Sequence, residues 1–258
     1  MPATPRVDRN TMFAIFKKEL RAYFTTPIGF VYSGVFLAAA ALICALTTLQ
    51  QASYNTSSYF QYLLFTFIVL IPLLTMRMFA EERKTRTEQL LLTAPVTITG
   101  MVLGKYFAAL TLFASTVLAS CLNFVPLLGY TISEQAVSTS DTHIGPVGGQ
   151  LIGCLLGVLL IGAAFIAVGL FISSLTENQL ASAVITIGVL AVLIFIGIVA
   201  GQVNSSVVRE VLGWISVLSR YDNFSLGLFD FSALLYYVSI SGVFIFLTVR
   251  VYEKRRWG

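Results

Sequence analysis

From Ala22 to Met76 the chain carries no Asp, Glu, Lys or Arg. A water-soluble fold has no way to cover so long an uncharged, mainly apolar run. The same gap recurs further on. Tyr106 to Thr139 holds only Glu134, and Thr142–Thr176, Asn178–Val208 and Phe231–Val249 hold no charge at all. A membrane-spanning helix needs about 20 predominantly apolar residues, and each window accommodates at least one. Charged residues make up 11% of the chain, against about 25% in soluble domains. The expected class is therefore an all-α polytopic membrane protein.

Six spans are expected, at about 29–49, 58–79, 101–130, 150–173, 180–201 and 232–250. The first follows a long basic leader and exceeds the roughly 7–15 residues of a signal-peptide core, so it reads as a retained span. Cys44, Cys121 and Cys154 lie inside apolar windows without CxxC spacing or a histidine cluster. They read as packing residues, and no metal site is expected. His143, the only histidine, falls in the polar connection after the third span and reads as a surface residue.

Orientation follows from lysine and arginine placement. Arg6, Arg9, Lys17, Lys18 and Arg21 precede the first span. Arg77, Arg83, Lys84, Arg86 and Lys105 flank the second connection, and Arg250, Lys254, Arg255 and Arg256 close the chain. Only Arg209 and Arg220 fall on the other side. Both termini are thus expected to be cytoplasmic. The leader places Phe13, Phe16, Leu20, Tyr23 and Phe24 at helical spacing, with Lys17, Lys18 and Arg21 opposite. Such a basic amphipathic helix suits the membrane interface, and Pro27 then turns the chain into the bilayer.

Enzymatic readings find no support. "GMVLGKY", from Gly100, lacks one spacer, the hydroxyl and the preceding strand of a phosphate-binding loop. Its Gly100/Gly104 spacing, like Gly153/Gly157, suits close helix packing instead. The apolar windows lack the ionisable groups that intramembrane catalysis or proton coupling needs. Work done on such a chain must come from a partner. Thr47, Gln50, Gln51, Ser115 and Asn123 are the candidates for a polar face along the spans.

The segment "AEERKTRTEQLLLTAPVT", from Ala80, interrupts this pattern. Glu82/Arg86 and Glu81/Lys84 have the spacing of helical ion pairs. Leu90, Leu91 and Leu92 form an apolar tip, and Pro95 stops the helix. Solvated leucines have no reason to cluster, whereas a peg for a cytoplasmic partner accounts for both the charges and the tip.

These features in this order resemble the membrane subunit of type-two ABC exporters, most closely the gliding-motility-type permeases. The resemblance rests on "FKKELRAYFTTPIGFV", "EERKTRTEQLLLTAPVT", "VLGKYFA", "SSLTENQLASA" and "FDFSALLYYVSISGVFIFLT". It implies a six-span permease, not itself an enzyme, in the bacterial inner membrane. Its partners would be a second permease copy, identical or paralogous, and separate ATPase subunits that bind ATP and Mg. A periplasmic or membrane-anchored accessory subunit also fits the resemblance; nucleic acid does not. Carried onto this chain, residues 1–28 are a leader with a connecting helix, 29–250 the membrane domain and 251–258 a cytoplasmic tail. Within the domain, 80–95 is the coupling helix and 203–231 an exterior re-entrant segment.

The ATPase contacts implied are Glu81, Glu82, Arg83, Arg86, Leu90, Leu91 and Leu92, with Glu177 and Asn178 from the short fourth-to-fifth connection. Phe13, Phe16, Lys17, Lys18, Leu20 and Arg21 belong to the interfacial helix. The chain departs from the family's habit twice: Arg86 stands where Gly is common, and Glu88 where an apolar residue is. A membrane scaffold that docks a partner without transport is the alternative. The uncharged spans favour a lipid-linked or amphipathic cargo over a strongly charged small solute.

Overall fold

The computed structural model describes residues 9–50, 56–88, 96–126, 129, 148–202 and 206–257. Every regular element among them is helical. Helix α1 spans Arg9–Thr25. It ends because Thr26 adopts an extended conformation (φ −97°, ψ 151°) ahead of Pro27, and Pro27 opens α2, Pro27–Cys44. A residue before proline is driven out of the helical region, and proline itself is well placed in a first turn. A π-turn, Ala45–Leu49, continues α2.

Helix α3 is Thr56–Thr75 and α4 the short Ala80–Lys84. Helix α5, Ile98–Ser120, is capped by Thr97, whose hydroxyl accepts the Gly100 amide. Helices α6 (Gly148–Leu175) and α7 (Gln179–Gln202) follow, joined by a tight connection. Two short helices, α8 (Ser206–Ile215) and α9 (Val217–Ser225), occupy the segment expected to be re-entrant. Helix α10 runs from Phe231 to Trp257. The basic end expected as a tail therefore continues the last helix.

Six of these helical stretches are long and apolar enough to cross a membrane, beginning at Pro27, Thr56, Ile98, Gly148, Gln179 and Phe231. The expected spans agree with them to within a few residues. Helix α6 is apolar on every side, and a helix of that kind belongs inside a bundle. It packs against α3, α5, α7, α9 and α10, and 67% of its most apolar window is buried. Helix α7 is as apolar but only 22% buried. Val184, Val192 and Phe195 on its outer face are more than half exposed, a surface suited to hydrocarbon.

Both small-residue pairs mark helix crossings. A Cβ on Gly104 would stand 3.0 Å from Ile15 and 3.1 Å from the Met12 carbonyl of α1, and one on Gly157 would stand 2.9 Å from the Tyr221 ring of α9. Backbones approach this closely only where side chains are absent.

Helix α1 is more deeply engaged than its pattern implied. Its outward surface carries Phe13, Lys17, Lys18, Arg21 and Phe24, all exposed, whereas Phe16, Leu20 and Tyr23 are half-buried. The apolar positions thus divide between the exterior and the bundle, because α5 takes one side of the helix through Gly100 and Gly104.

Helix α4 also corrects an expectation. A single coupling helix beginning at residue 80 does not form. The chain leaves the helix at Thr85, Arg86 takes a left-handed conformation (φ 59°), and Glu88 is helical again. A side chain in that region costs about 1 kcal/mol or more. Glycine would avoid the cost. Leu90, Leu91, Leu92 and Pro95 lie outside the described residues, as does His143.

Candidate partner-docking site

The expected ion pairs Glu82/Arg86 and Glu81/Lys84 are not made. Glu81 accepts a two-pronged bond from Arg77, with both distances 2.6 Å. Glu82 turns inward to Lys105, 2.7 Å away. The break at Arg86 removes the helical register on which the first pair depended.

Lys105 is the charge that sequence reasoning passed over. It lies at the start of α5 with a side chain 2% exposed, yet its ammonium is fully engaged. It donates to Glu19 of α1 at 3.1 Å, to Glu82 of α4 at 2.7 Å and to the Met78 carbonyl at 3.0 Å. The Phe79 ring lies 5.3 Å beneath it. A buried ammonium persists only when its donors are satisfied and its charge is balanced. This one joins three elements: the leader helix, the segment after the second span and the third span. The available signal was a lone lysine directly after the Gly100/Gly104 crossing, with an acid in each segment meeting there. Nearby, burial raises the Tyr23 phenol, and the negative charge of Glu19 adds to the rise.

A second network lies beside the first. Arg83 reaches Glu177, in the connection between α6 and α7, at 2.6 Å, and donates to the Leu175 carbonyl at 3.1 Å. It also approaches Glu88 at 3.5 Å. Glu88 accepts from Arg255 of α10 at 3.1 Å, and Arg255 donates to the Ser174 carbonyl at 2.7 Å. Underneath, the Ser173 hydroxyl accepts the amides of Phe79 and Ala80, both at 3.2 Å, and donates to the Met76 carbonyl. The end of α6 thereby anchors the start of α4. The acid at Glu88 is held by its two arginines, Arg83 and Arg255.

Two expected docking residues, Arg83 and Glu177, thus contact each other. Arg83, Arg86, Glu88 and Glu177 border one cavity of about 270 Å³. Arg86 and Lys84 are exposed, and the Glu177 side chain is 75% exposed. Asn178 has a local duty: its side-chain oxygen accepts the Leu180 amide at 3.0 Å and caps α7. Glu82, Arg83 and Glu88 are mostly shielded by their partners, leaving Lys84 and Arg86 as the outward cations of the segment.

The first network takes in Glu19 of α1, and the second Arg255 near the C-terminal end of α10. At the opposite end of α6, Gln150 donates to Ser57 at 2.6 Å and to the Ser225 carbonyl at 3.0 Å, tying α6 to α3 and α9. Of the residues considered for a polar face, Thr47 and Ser115 donate to carbonyls of their own helices. Gln51 lies outside the described residues. A family model described as "ABC-2 family transporter protein" matches residues 40–249. No curated protein matches the chain.

Proposed function

The chain belongs to the ABC-2 family of transporter proteins, and from that premise we propose that it is one of a pair of permease subunits driven in export by separate ATPase subunits. The reading includes cytoplasmic termini, with Glu81 to Leu92 as the principal contact for the ATPase and Glu177 and Asn178 as secondary ones.

The bond between Arg83 and Glu177 carries this reading. A permease whose long apolar windows hold no Asp, Glu, Lys or Arg, the charges gathering near the span ends, receives work through its cytoplasmic surface. A push on the second-to-third connection passes through Arg83 to the fourth-to-fifth connection, and through Glu88 to Arg255 on α10. Ser173 ties the same segment to α6, the buried axis of the bundle. Chains of hydrogen bonds, ion pairs and packed helices of this kind are what carry energetic coupling between distant sites. The exposed cations Lys84 and Arg86 suit an acidic rim on the partner, which would steer association.

Retention of the ATPase in a pull-down tests the proposal. Leu91→Asp, in the apolar tip read from sequence, is expected to cost about 2 kcal/mol or more of binding, as loss of a central anchor does. Thr139→Asp, in the connection after the third span, is the control. Full retention by Leu91→Asp together with normal stimulated hydrolysis would remove the segment from this role. A cysteine at Thr85, reactive in intact cells while one at Ser138 is protected, would invert the topology.

One observation favours the alternative of a force-transmitting subunit that carries no cargo. The buried hydroxyls of Thr47, Thr116, Ser120 and Thr186 are taken up by carbonyls of their own helices. Reconstitution with the ATPase in vesicles, scored for lipid-linked cargo movement, separates the two readings.

A further inference from the structure

A cavity of about 400 Å³ opens between α1, α3, α4 and α5. Its lining has two halves. Ala22, Ile28 and Leu74 form an apolar wall, and Lys18, Arg77 and Glu81 a charged one. Ile28 is the second residue of the first span and Leu74 sits in the last turn of α3. The apolar wall therefore lies where two membrane-crossing segments end, and the charged wall about one turn beyond. That is the level of phospholipid headgroups.

The chemistry of the charged wall is specific. Arg77 spends Nε and Nη2 on Glu81, and Nη1 keeps its two N–H groups without a partner among the described residues. Each Glu81 oxygen accepts one bond from Arg77 and retains a free lone pair. About a third of each side chain is open, 31% for Arg77 and 37% for Glu81. Lys18 adds an exposed ammonium, 3.9 Å from Glu19. Lys105, at the back, is already neutralised by Glu19 and Glu82. The open groups are thus a guanidinium edge, an ammonium and a carboxylate edge, side by side.

We propose that this cavity seats the headgroup of a phospholipid carrying both a phosphate and a primary ammonium, phosphatidylethanolamine by class, with its acyl chains along Ile28 and Leu74. The phosphate takes the free Nη1 edge of Arg77 and the ammonium of Lys18, as charge-assisted bonds require. The primary ammonium donates to the free lone pairs of Glu81. A choline headgroup offers no N–H for that carboxylate. A glycerol headgroup, bearing the same phosphate, would meet Glu81 only with neutral hydroxyls, which leave the carboxylate's charge unbalanced. The occupant would bridge the leader helix and the start of the docking segment, so membrane composition would bear on how firmly that segment is held. The assignment needs the chain alone and does not depend on ATPase docking.

Native mass spectrometry of the detergent-solubilised chain tests it, with phosphatidylethanolamine, phosphatidylcholine and phosphatidylglycerol of matched acyl chains. The first is expected to bind most tightly. Arg77→Gln is expected to weaken it about tenfold, the effect of losing one charge-assisted bond. Glu81→Gln is expected to abolish the preference over phosphatidylcholine, while Arg250→Gln, outside the cavity, leaves binding unchanged. Glu81→Gln keeps the size and shape of its side chain, so it decides the matter if Arg77→Gln does not fold. Equal affinity for the three lipids, or indifference to Glu81→Gln, would overturn the proposal. Displacement of the lipid by an equal concentration of glycerophosphoethanolamine would instead assign the site to a soluble zwitterion and overturn the lipid assignment.

Discussion

The ammonium of Lys105 lies 2.7 Å from the carboxylate of Glu82, and the lysine side chain is 2% exposed. The two residues are brought together from either side of the second connection, with Glu19 completing the group at 3.1 Å. Removing one member of a buried ionic group leaves the others uncompensated, at a cost of about 3–5 kcal/mol. Lys105→Met is therefore expected to lower the melting temperature in detergent strongly, and adding Glu82→Gln to recover part of the loss. A single variant that melts like the parent would show that the cluster carries no stability.

The bond between Arg83 and Glu177 should behave differently, because the Glu177 side chain is 75% exposed. Exposed pairs contribute about 0–1 kcal/mol. Glu177→Ala is expected to leave unfolding nearly unchanged while reducing permease-stimulated ATP hydrolysis. Arg83→Ala also gives up the Leu175 carbonyl and Glu88, and should lose both stability and stimulation. Measuring melting and hydrolysis on the same preparations checks both.

Gly162 faces the Phe113 ring so closely that an added Cβ would stand 2.1 Å from it, and Phe113 is fully buried. Gly162→Ala forces that ring aside and is expected to destabilise by about 1–3 kcal/mol. Gly188, on the exposed face of α7, has nothing within 4 Å. There the same substitution is expected to be neutral or to stabilise by up to about 1 kcal/mol through helix propensity. Chemical denaturation of the two variants side by side is the measurement.

Arg86, at φ 59°, predicts a gain from glycine. Arg86→Gly is expected to stabilise the turn by about 1 kcal/mol, and Arg86→Val to destabilise it by at least as much. If the exposed guanidinium also serves docking, the stabilised glycine variant will bind the ATPase more weakly at low salt. Opposite signs in melting and binding would be the signature.

Asp230 caps α10 by accepting the amides of Ser232 and Ala233. The Asn223 side chain, 2.8 Å from its carboxylate, is the main cause that holds its pKa below the ordinary value of 3.8, with those amides and Arg220 assisting. A depressed carboxyl contributes stability that is fully present above its unfolded value and lost as pH falls through the folded one. Asp230→Asn keeps a capping side chain but does not titrate. The melting difference between parent and variant should shrink as pH falls below 3.8, whereas a constant difference would argue against the linkage.

What the sequence determined by itself is the set of features governed by local sterics and by solvent. The spans were legible because an uncharged run of bilayer length has only one stable environment. The elbow at Thr26 was legible because proline restricts its own residue and the one before it. The crossings at Gly104 and Gly157 were legible because missing side chains permit close backbones. Charge partnership was decided only by the tertiary structure. Glu82 had a helical neighbour in Arg86 and chose Lys105; Arg83 and Glu88 found Glu177 and Arg255 on other elements. Sequence spacing ranks only the partners one turn away. A left-handed residue at Arg86 took that register apart, and the convergence of α1, α4, α5, α6 and α10 at one end of the bundle supplied partners from other elements, of which the buried Lys105 holds its carboxylates more firmly than an exposed neighbour on the same helix.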